Sequence, residues 1–389
     1  MIYITLLLFL LFLSLRFDFF DVKSHEKLYF NISFIVLVLI AAIRYRVGSD
    51  TLSYMRIYDD IPAINNLAFS DFKLEPLWIL LNSLCKFFTP KFYLLQAILA
   101  VFVNGVLFKF LKANTPYFFT SVFFYSLLLF NYFNMEILRE SVAICIFLLS
   151  LKYLFNRNIV KYILLVLLAS LFHYGAIILI VFPVLIRIKL NIFSVVFSFI
   201  VIFVIFSFGI DFFVKILPLN EVLVKKILYY KLGTLNLNGV TFFIIRELLF
   251  PFMVFLLLVN FYRYKHNLNR LSFIYFFIAT LTIFFTGFYR FLNYFSIPMI
   301  IYISYISVYF IRHKNLFRQV FAVFVASSII LFQIWSVSID TSEFAPNTRY
   351  YVIWSPYKSI FNEEVSKERE MHRINSQEKH ENKRRTKKK

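Results

Sequence analysis

Residues 92–111 read F-Y-L-L-Q-A-I-L-A-V-F-V-N-G-V-L-F-K-F-L, an apolar run interrupted only by Gln96, Asn104 and Lys109. Wound as a helix at about 1.5 Å per residue, such a run is about 30 Å long, the thickness of the hydrocarbon layer of a bilayer. Working outward, about twelve runs suited to the roughly 20-residue span of a membrane helix emerge. They lie near 1–17, 28–43, 92–111, 117–133, 139–155, 159–172, 173–187, 190–208, 240–262, 271–287, 291–311 and 317–335. With 61% hydrophobic residues, 16% charged residues and 54 Phe, the chain carries too little charge to wet a soluble globule's surface. The segments are also far too long for barrel strands, and backbone groups in lipid must be satisfied within a helix. The expected fold is all-α, a polytopic transmembrane helix bundle of about twelve helices.

The organisation follows the same runs. Residues 1–360 are expected to form one integral membrane domain, with the first run kept as a helix because it lacks a basic leader and a small-residue cleavage site. Residues 361–389 form a basic polar C-terminal tail, expected to be disordered or a surface helix. The short run 74–88, L-E-P-L-W-I-L-L-N-S-L-C-K-F-F, reads as re-entrant or interfacial. Two stretches are too long and polar to be simple connections, Arg44 to Lys73 and Asp211 to Gly239; the second carries an amphipathic extracytoplasmic pattern.

The net charge of +20 is spread over short segments between apolar runs, as topology signals are, and is not gathered on one face as nucleic-acid binding requires. Basic loops recur on one side, at Lys109 and Lys112, Lys152 to Lys161, Arg187 and Lys189, Arg263 to Arg270, and Arg312 to Arg318. That side reads as cytoplasmic. By alternation the Arg44–Lys73 loop, the Asn131–Arg139 turn, His173, Asp211–Gly239 and Arg290 face the other way. The same alternation would put the basic tail outside, against the positive-inside trend, so its side stays open. Cys85 and Cys145 are lone thiols, and no spacing suggests a metal site.

Ionisable groups at membrane depth cost a few kcal/mol at least, so they mark candidate function. In Arg44 to Tyr54, R-Y-R-V-G-S-D-T-L-S-Y, two guanidiniums, a turn-permitting Gly48 and the carboxylate of Asp50 read as an anion grip beside a base, or as a basic helix end followed by an N-cap. Arg139 and Glu140 open the fifth long run; adjacent helical residues do not face each other, so Arg139 needs a partner elsewhere. His173 is the one histidine embedded in an apolar run, suited to proton transfer or to a hydrogen bond between helices. Arg290 stands between two runs, Arg246 lies inside another and could snorkel, and Glu75 before Pro76 could simply be a first-turn acid favoured by the helix dipole. Several Arg, one His and a few carboxylates on one side suit a lipid-linked diphosphate, with Tyr, Trp and Asn available for sugar.

At these residues the chain resembles the EpsG family of exopolysaccharide polymerases, related in role to the Wzy O-antigen polymerases. The matching elements stand in order: residues 44–54, L-R-E-S-V-A at 138–143, A-S-L-F-H-Y-G-A at 169–176, R-F-L-N-Y-F at 290–295, and S-P-Y-K at 355–358. Together they span about 28 to 360, and Glu140 departs from the family, which more often has glutamine there. The resemblance implies a multi-pass glycosyltransferase of the bacterial cytoplasmic membrane, working without a metal or other cofactor. It would join undecaprenyl-pyrophosphate-linked oligosaccharides, flipped across beforehand by a separate exporter, into an exopolysaccharide, capsule or O-antigen at the outer face. Expected partners are the bilayer, the lipid-linked oligosaccharide, a chain-length regulator and a flippase. In that reading Arg139 and Arg290 hold the leaving diphosphate, Arg44 and Arg46 grip the other lipid's phosphates, and His173 or Asp50 is the base. Gly48, Tyr54, Glu75 and Arg246 complete the substrate site. Rival readings are a flippase for the same lipid-linked oligosaccharide, a glycan ligase or membrane acyltransferase using the same His and Arg set, and a non-catalytic assembly partner.

Overall fold

A computed structural model describes residues 2–68, 71, 74–186, 197, 200–201, 266–284, 289–312, 316–338, 350–371 and 374. Most of the expected helix at 190–208, the one at 240–262, the Asp211–Gly239 segment, Arg246 and the tail beyond 374 lie outside the described residues. All described regular structure is helical; the one β-type contact is an isolated antiparallel bridge between Arg44 and Ser359. Among the described residues three helices are long and apolar enough to cross a membrane, Ile2–Phe19, Tyr93–Asn114 and Arg290–Ile311, and shorter apolar helices accompany them, Pro76–Phe88 among these.

The described residues divide into two compact units, the first drawn from Met1–Leu151, Ile163–Ile177 and Ile303–Lys389, the second from Lys152–Tyr162 and Ile178–Tyr302. In the first, α1 (Ile2–Leu13) runs on into a π-helical turn at Ser14–Phe19 and packs along α6 (Phe118–Leu128). Phenylalanine fills this seam: Phe17 stacks on Phe119 with ring centroids 4.6 Å apart. α2 (Glu26–Ala42) lies along α5 (Tyr93–Asn114), with Phe30 against Phe108 at 5.5 Å.

The polar residues of these apolar helices are spent on joints. Helix ends leave carbonyls without intrahelical partners; Gln96 Nε2 donates to the carbonyls of Ala42 (2.6 Å) and Arg44 (2.9 Å), closing the end of α2. Asn104 Nδ2 donates to Asn134 Oδ1 (2.8 Å), Asn134 Nδ2 to the Tyr125 hydroxyl (2.9 Å), and that hydroxyl to Asn104 Oδ1 (3.3 Å). This buried triangle ties α5 and α6 to a second π-helical turn, Tyr132–Glu136.

The Arg44–Lys73 stretch is more structured than its polarity suggests. It contains α3 (Thr51–Asp60), which buries Thr51, Tyr54 and Tyr58, spaced by three and four residues along one face. Lys86 of α4 (Pro76–Phe88) donates to the carbonyls of Tyr58, Asp59 and Ile61 at 2.6–2.9 Å, the favoured place for a cation at a helix C-terminus. α7 (Leu138–Phe155) follows the π-helical turn. α8 (Ile159–Ser170) breaks at 171–173 and continues as a 3₁₀ segment, Tyr174–Val181, so His173 does stand at a junction. The breakpoint is tied to α4 by the Leu77 N–H, which donates to the Leu171 carbonyl at 3.0 Å.

After α9 (Phe182–Leu185), the second unit contains α10 (His266–Phe284) and the first part of α11 (Tyr289–Ile311). Phe182 packs on Phe295 at 5.1 Å, and Ser272 Oγ donates to the carbonyl of Pro298 at 3.1 Å. α12 (Leu316–Ser338) belongs to the first unit, as does the 3₁₀ turn Tyr350–Ile353, and the chain then returns to the end of α2. There the Tyr45 N–H donates to Lys358 (2.8 Å) and the Ile360 N–H to Ile43 (2.9 Å).

Candidate active site

The loop leaving α2 turns at Gly48, whose φ of 106° is one that a side chain rarely tolerates. A Cβ there would lie 2.9 Å from Met135 Cβ, the Met135 carbonyl oxygen and Thr51 Oγ1. The absence of that carbon lets the loop press against the second π-helical turn. The next residue of that turn, Glu136, is buried and gathers the loop around its carboxylate. Oε1 accepts from the Ser49 N–H (2.9 Å) and from Trp354 Nε1 (2.9 Å); Oε2 accepts from the Asp50 N–H (3.1 Å) and from the Ser49 hydroxyl. Ser49 and Asp50 themselves are exposed. Asp50 occupies the N-cap position of α3, but its side chain makes no capping hydrogen bond.

The arginines of this loop differ in kind. Arg44 is buried among Tyr3, Tyr357 and Glu136, and its Nη1 donates to the Ala41 carbonyl, while Nε and Nη2 have no hydrogen-bond partner. Its position balances the buried Glu136 charge and closes a helix end. Arg46, with φ 51°, is half-exposed and pairs with Glu370 at 3.1 Å. The backbone that holds it comes from the C-terminal segment. Buried Arg369 donates to the carbonyls of Val352 (3.0 Å), Arg46 (3.3 Å) and Pro356 (2.5 Å), and the Gly48 N–H donates to Ile353 (3.1 Å).

Beside this loop, side chains from α7, the α4 entrance and the α8 break form a line in which basic and acidic residue types alternate. Arg139 Nη1 meets Glu75 Oε2 at 2.6 Å; Glu75 Oε1 faces His173 Nδ1 at 3.6 Å; His173 Nε2 faces Glu140 Oε2 at 3.8 Å. The last two contacts are longer than direct hydrogen bonds. Arg139 therefore finds its partner 64 residues away, and Glu140 turns to the histidine. Burial disfavours the charge on Glu75, but the facing His173, its own backbone and the Arg139 cation outweigh that, and the carboxyl is held down at about 2. Gly175 makes room for the imidazole: a Cβ there would lie 2.8 Å from His173 Nε2. Tyr54 bridges the two groups, lying beside both Arg139 and Asp50 and edge-on to Trp78 at 5.7 Å.

Of the residues singled out from sequence, Arg44, Arg46, Gly48, Asp50, Tyr54, Glu75, Arg139 and His173 fall together in the first unit. Arg290 lies in the second, exposed in the first turn of α11, and Arg246 is outside the described residues. The site also contains Glu136, Trp354, Arg369 and Glu370, which sequence reasoning does not single out. Glu136 could have been found by the rule that flagged Arg139, since it too is an ionisable residue in an apolar stretch. The other three carry no local signal, because their importance lies in where the chain's last described residues return.

This fold and site define a multi-pass helical membrane protein with a buried ionic cluster at one loop system. The profile of the EpsG family matches residues 27–359, and the chain belongs to that family. Its membership makes it an exopolysaccharide-polymerase-like membrane protein acting on a lipid-linked substrate. No curated protein and no solved structure matches it.

Proposed function

We propose that the protein polymerises polyprenyl-pyrophosphate-linked repeat units into an exopolysaccharide, capsule or O-antigen at the outer face of the cytoplasmic membrane. The observation that carries this reading is the convergence, in one unit, of the Arg46–Asp50 loop with the Arg139–Glu75–His173–Glu140 line. An acceptor hydroxyl attacks the anomeric carbon of the donor; the new C–O bond forms as the bond to the lipid diphosphate breaks, and the hydroxyl proton passes to a base. Asp50 suits the base: its carboxylate is exposed and its backbone is anchored by Glu136. His173 has a carboxylate facing each ring nitrogen, so it suits the holding of Glu75 and Glu140 in place and is assigned a positioning role. Arg139 carries five N–H donors, and its bonds to Glu75 and Tyr54 engage only part of them, which leaves others to stabilise the departing diphosphate. Arg46, half-exposed beside Asp50, suits the phosphates of the second lipid. The role assigned to Arg290 in the leaving step rests on motif position, and that of Arg246 in binding on its being an ionisable residue inside an apolar run.

Reconstitution of the purified protein in liposomes with lipid-linked repeat unit tests the reading. Products longer than one unit, made with no other protein present, are expected. Translocation of the substrate with no growth of the glycan would indicate a flippase and refute the proposal.

A further inference from the structure

We propose that Arg16 holds the phosphate of an anionic phospholipid, at the end of the first unit opposite the candidate active site. The site does not depend on the polymerase reading. α2 links the two ends, about 25 Å apart at 1.5 Å per residue: Glu26 opens it beside Arg16, and Ala42 closes it beside Arg44. α1 sorts its residues by face. Leu6, Leu10 and Leu13 are buried, whereas Ile4, Leu8 and Phe12 are exposed, each four residues after the last. Arg16 follows at the same spacing and is half-buried. The stripe from Ile4 to Arg16 is about 18 Å long, against about 15 Å for one leaflet of hydrocarbon, so an acyl chain laid along its apolar part brings the headgroup to the guanidinium.

That guanidinium is held in place without an anion. Its carbon lies 5.6 Å from the ring centroid of Phe17 and 5.9 Å from that of Tyr29, where the end of α1 meets the start of α2. Aromatic contact of this kind holds an arginine while leaving its N–H donors for an anion. The acids nearest in sequence are engaged elsewhere or exposed. Buried Asp18 accepts from the Thr120 N–H (2.6 Å) and hydroxyl (2.8 Å), Asp21 pairs with Lys23 (2.7 Å) and Arg312 (3.7 Å), and Glu26 is exposed. Among the described residues Arg16 has no ion pair and no side-chain hydrogen bond, and its buried Nε is unsatisfied. A part-buried cation without a counter-charge is costly, and the forked guanidinium suits phosphate, the anion that a bilayer supplies at headgroup level. A second cation stands at the same level, Lys112, 4.5 Å from the centroid of Phe30, the neighbour of Tyr29. The surplus positive charge favours an anionic lipid over a zwitterionic one.

The test uses the full-length protein in detergent, titrated with phosphatidylglycerol, phosphatidylcholine or inorganic phosphate, with bound lipid counted by native mass spectrometry and thermal unfolding followed in parallel. Phosphatidylglycerol is expected to bind more tightly than phosphatidylcholine and to raise the unfolding temperature more. Arg16→Gln is expected to weaken phosphatidylglycerol binding about tenfold, and Lys27→Gln, which removes the same charge from the exposed first turn of α2, by less than about twofold. Equal losses in the two variants would reduce the effect to net charge and overturn the site. So would undiminished binding in Arg16→Gln, or equal binding of the two lipids by the native protein. Stabilisation by inorganic phosphate alone, abolished in Arg16→Gln, would mean a free-anion site and overturn the lipid assignment. Should Arg16→Gln fail to fold, Arg16→Lys decides: it keeps the charge but loses the fork and is expected to bind phosphatidylglycerol about threefold less tightly, and unchanged binding overturns the proposal.

Discussion

Replacing Gly48 with alanine tests the site at its tightest point. The substitution adds one methyl group to a residue with φ of 106°, where that methyl would sit 2.9 Å from three atoms, two of them belonging to Met135. Holding an L-residue in such a backbone region costs about 1–3 kcal/mol. Relieving the overlap costs about 1–3 kcal/mol more, as other forced insertions into packed structure do. The expected loss is therefore about 2–6 kcal/mol. The second part falls on Met135, which adjoins Glu136, so the loop carrying Asp50 must shift even in molecules that stay folded. Gly105 provides the internal control. It lies inside α5, and a Cβ there meets nothing nearer than Phe34 at 4.0 Å, so Gly105→Ala should be neutral or stabilising by about 0.5–1 kcal/mol. Unfolding in detergent, followed by intrinsic fluorescence against temperature and denaturant, compares the two variants with the native protein. Gly48→Ala matching Gly105→Ala in stability and in polymerisation would refute the account of the loop.

Asp50→Asn should lower kcat for glycan elongation by about 10²–10⁴-fold with little change in KM, the usual cost of losing a general base; native turnover in that variant would remove Asp50 from the chemistry. Glu75 is held ionised to about pH 2, below the ordinary carboxylate value of 4.5. Its contribution to stability is thus complete above pH 4.5 and lost as pH falls toward 2. The stability gap between native protein and Glu75→Gln, measured by unfolding at stepped pH, should accordingly close across that window; a gap independent of pH would argue against the Arg139 and His173 contacts as its source. Arg369→Ala would strip donors from three carbonyls, at about 1–3 kcal/mol for each left buried and unsatisfied. It should destabilise the first unit strongly and loosen residues 44–50, visible as faster hydrogen exchange there, whereas unchanged exchange would mean that the C-terminal segment does not brace the loop.

Hydropathy alone determined that this chain is helical and lives in a membrane, because lipid leaves an apolar segment no other way to satisfy its backbone. It also flagged members of the ionic cluster: a lone arginine or histidine among leucines stands out whatever the fold, and Arg139 and His173 were legible on that ground, Gly48 as a glycine that lets the loop turn. The helix Thr51–Asp60 was legible only at its start, through the N-cap reading of Asp50; its extent was not, since its apolar face is short and set among polar residues. Nor could pairing be read from order along the chain. That Arg139 meets Glu75, that Glu140 turns to His173, and that Trp354, Arg369 and Glu370 return to close the loop after α2 are facts of helix packing. Charge and hydrogen bonding act over a few ångströms of space, and these partners stand tens to hundreds of residues apart. Only the tertiary structure could bring them within that reach.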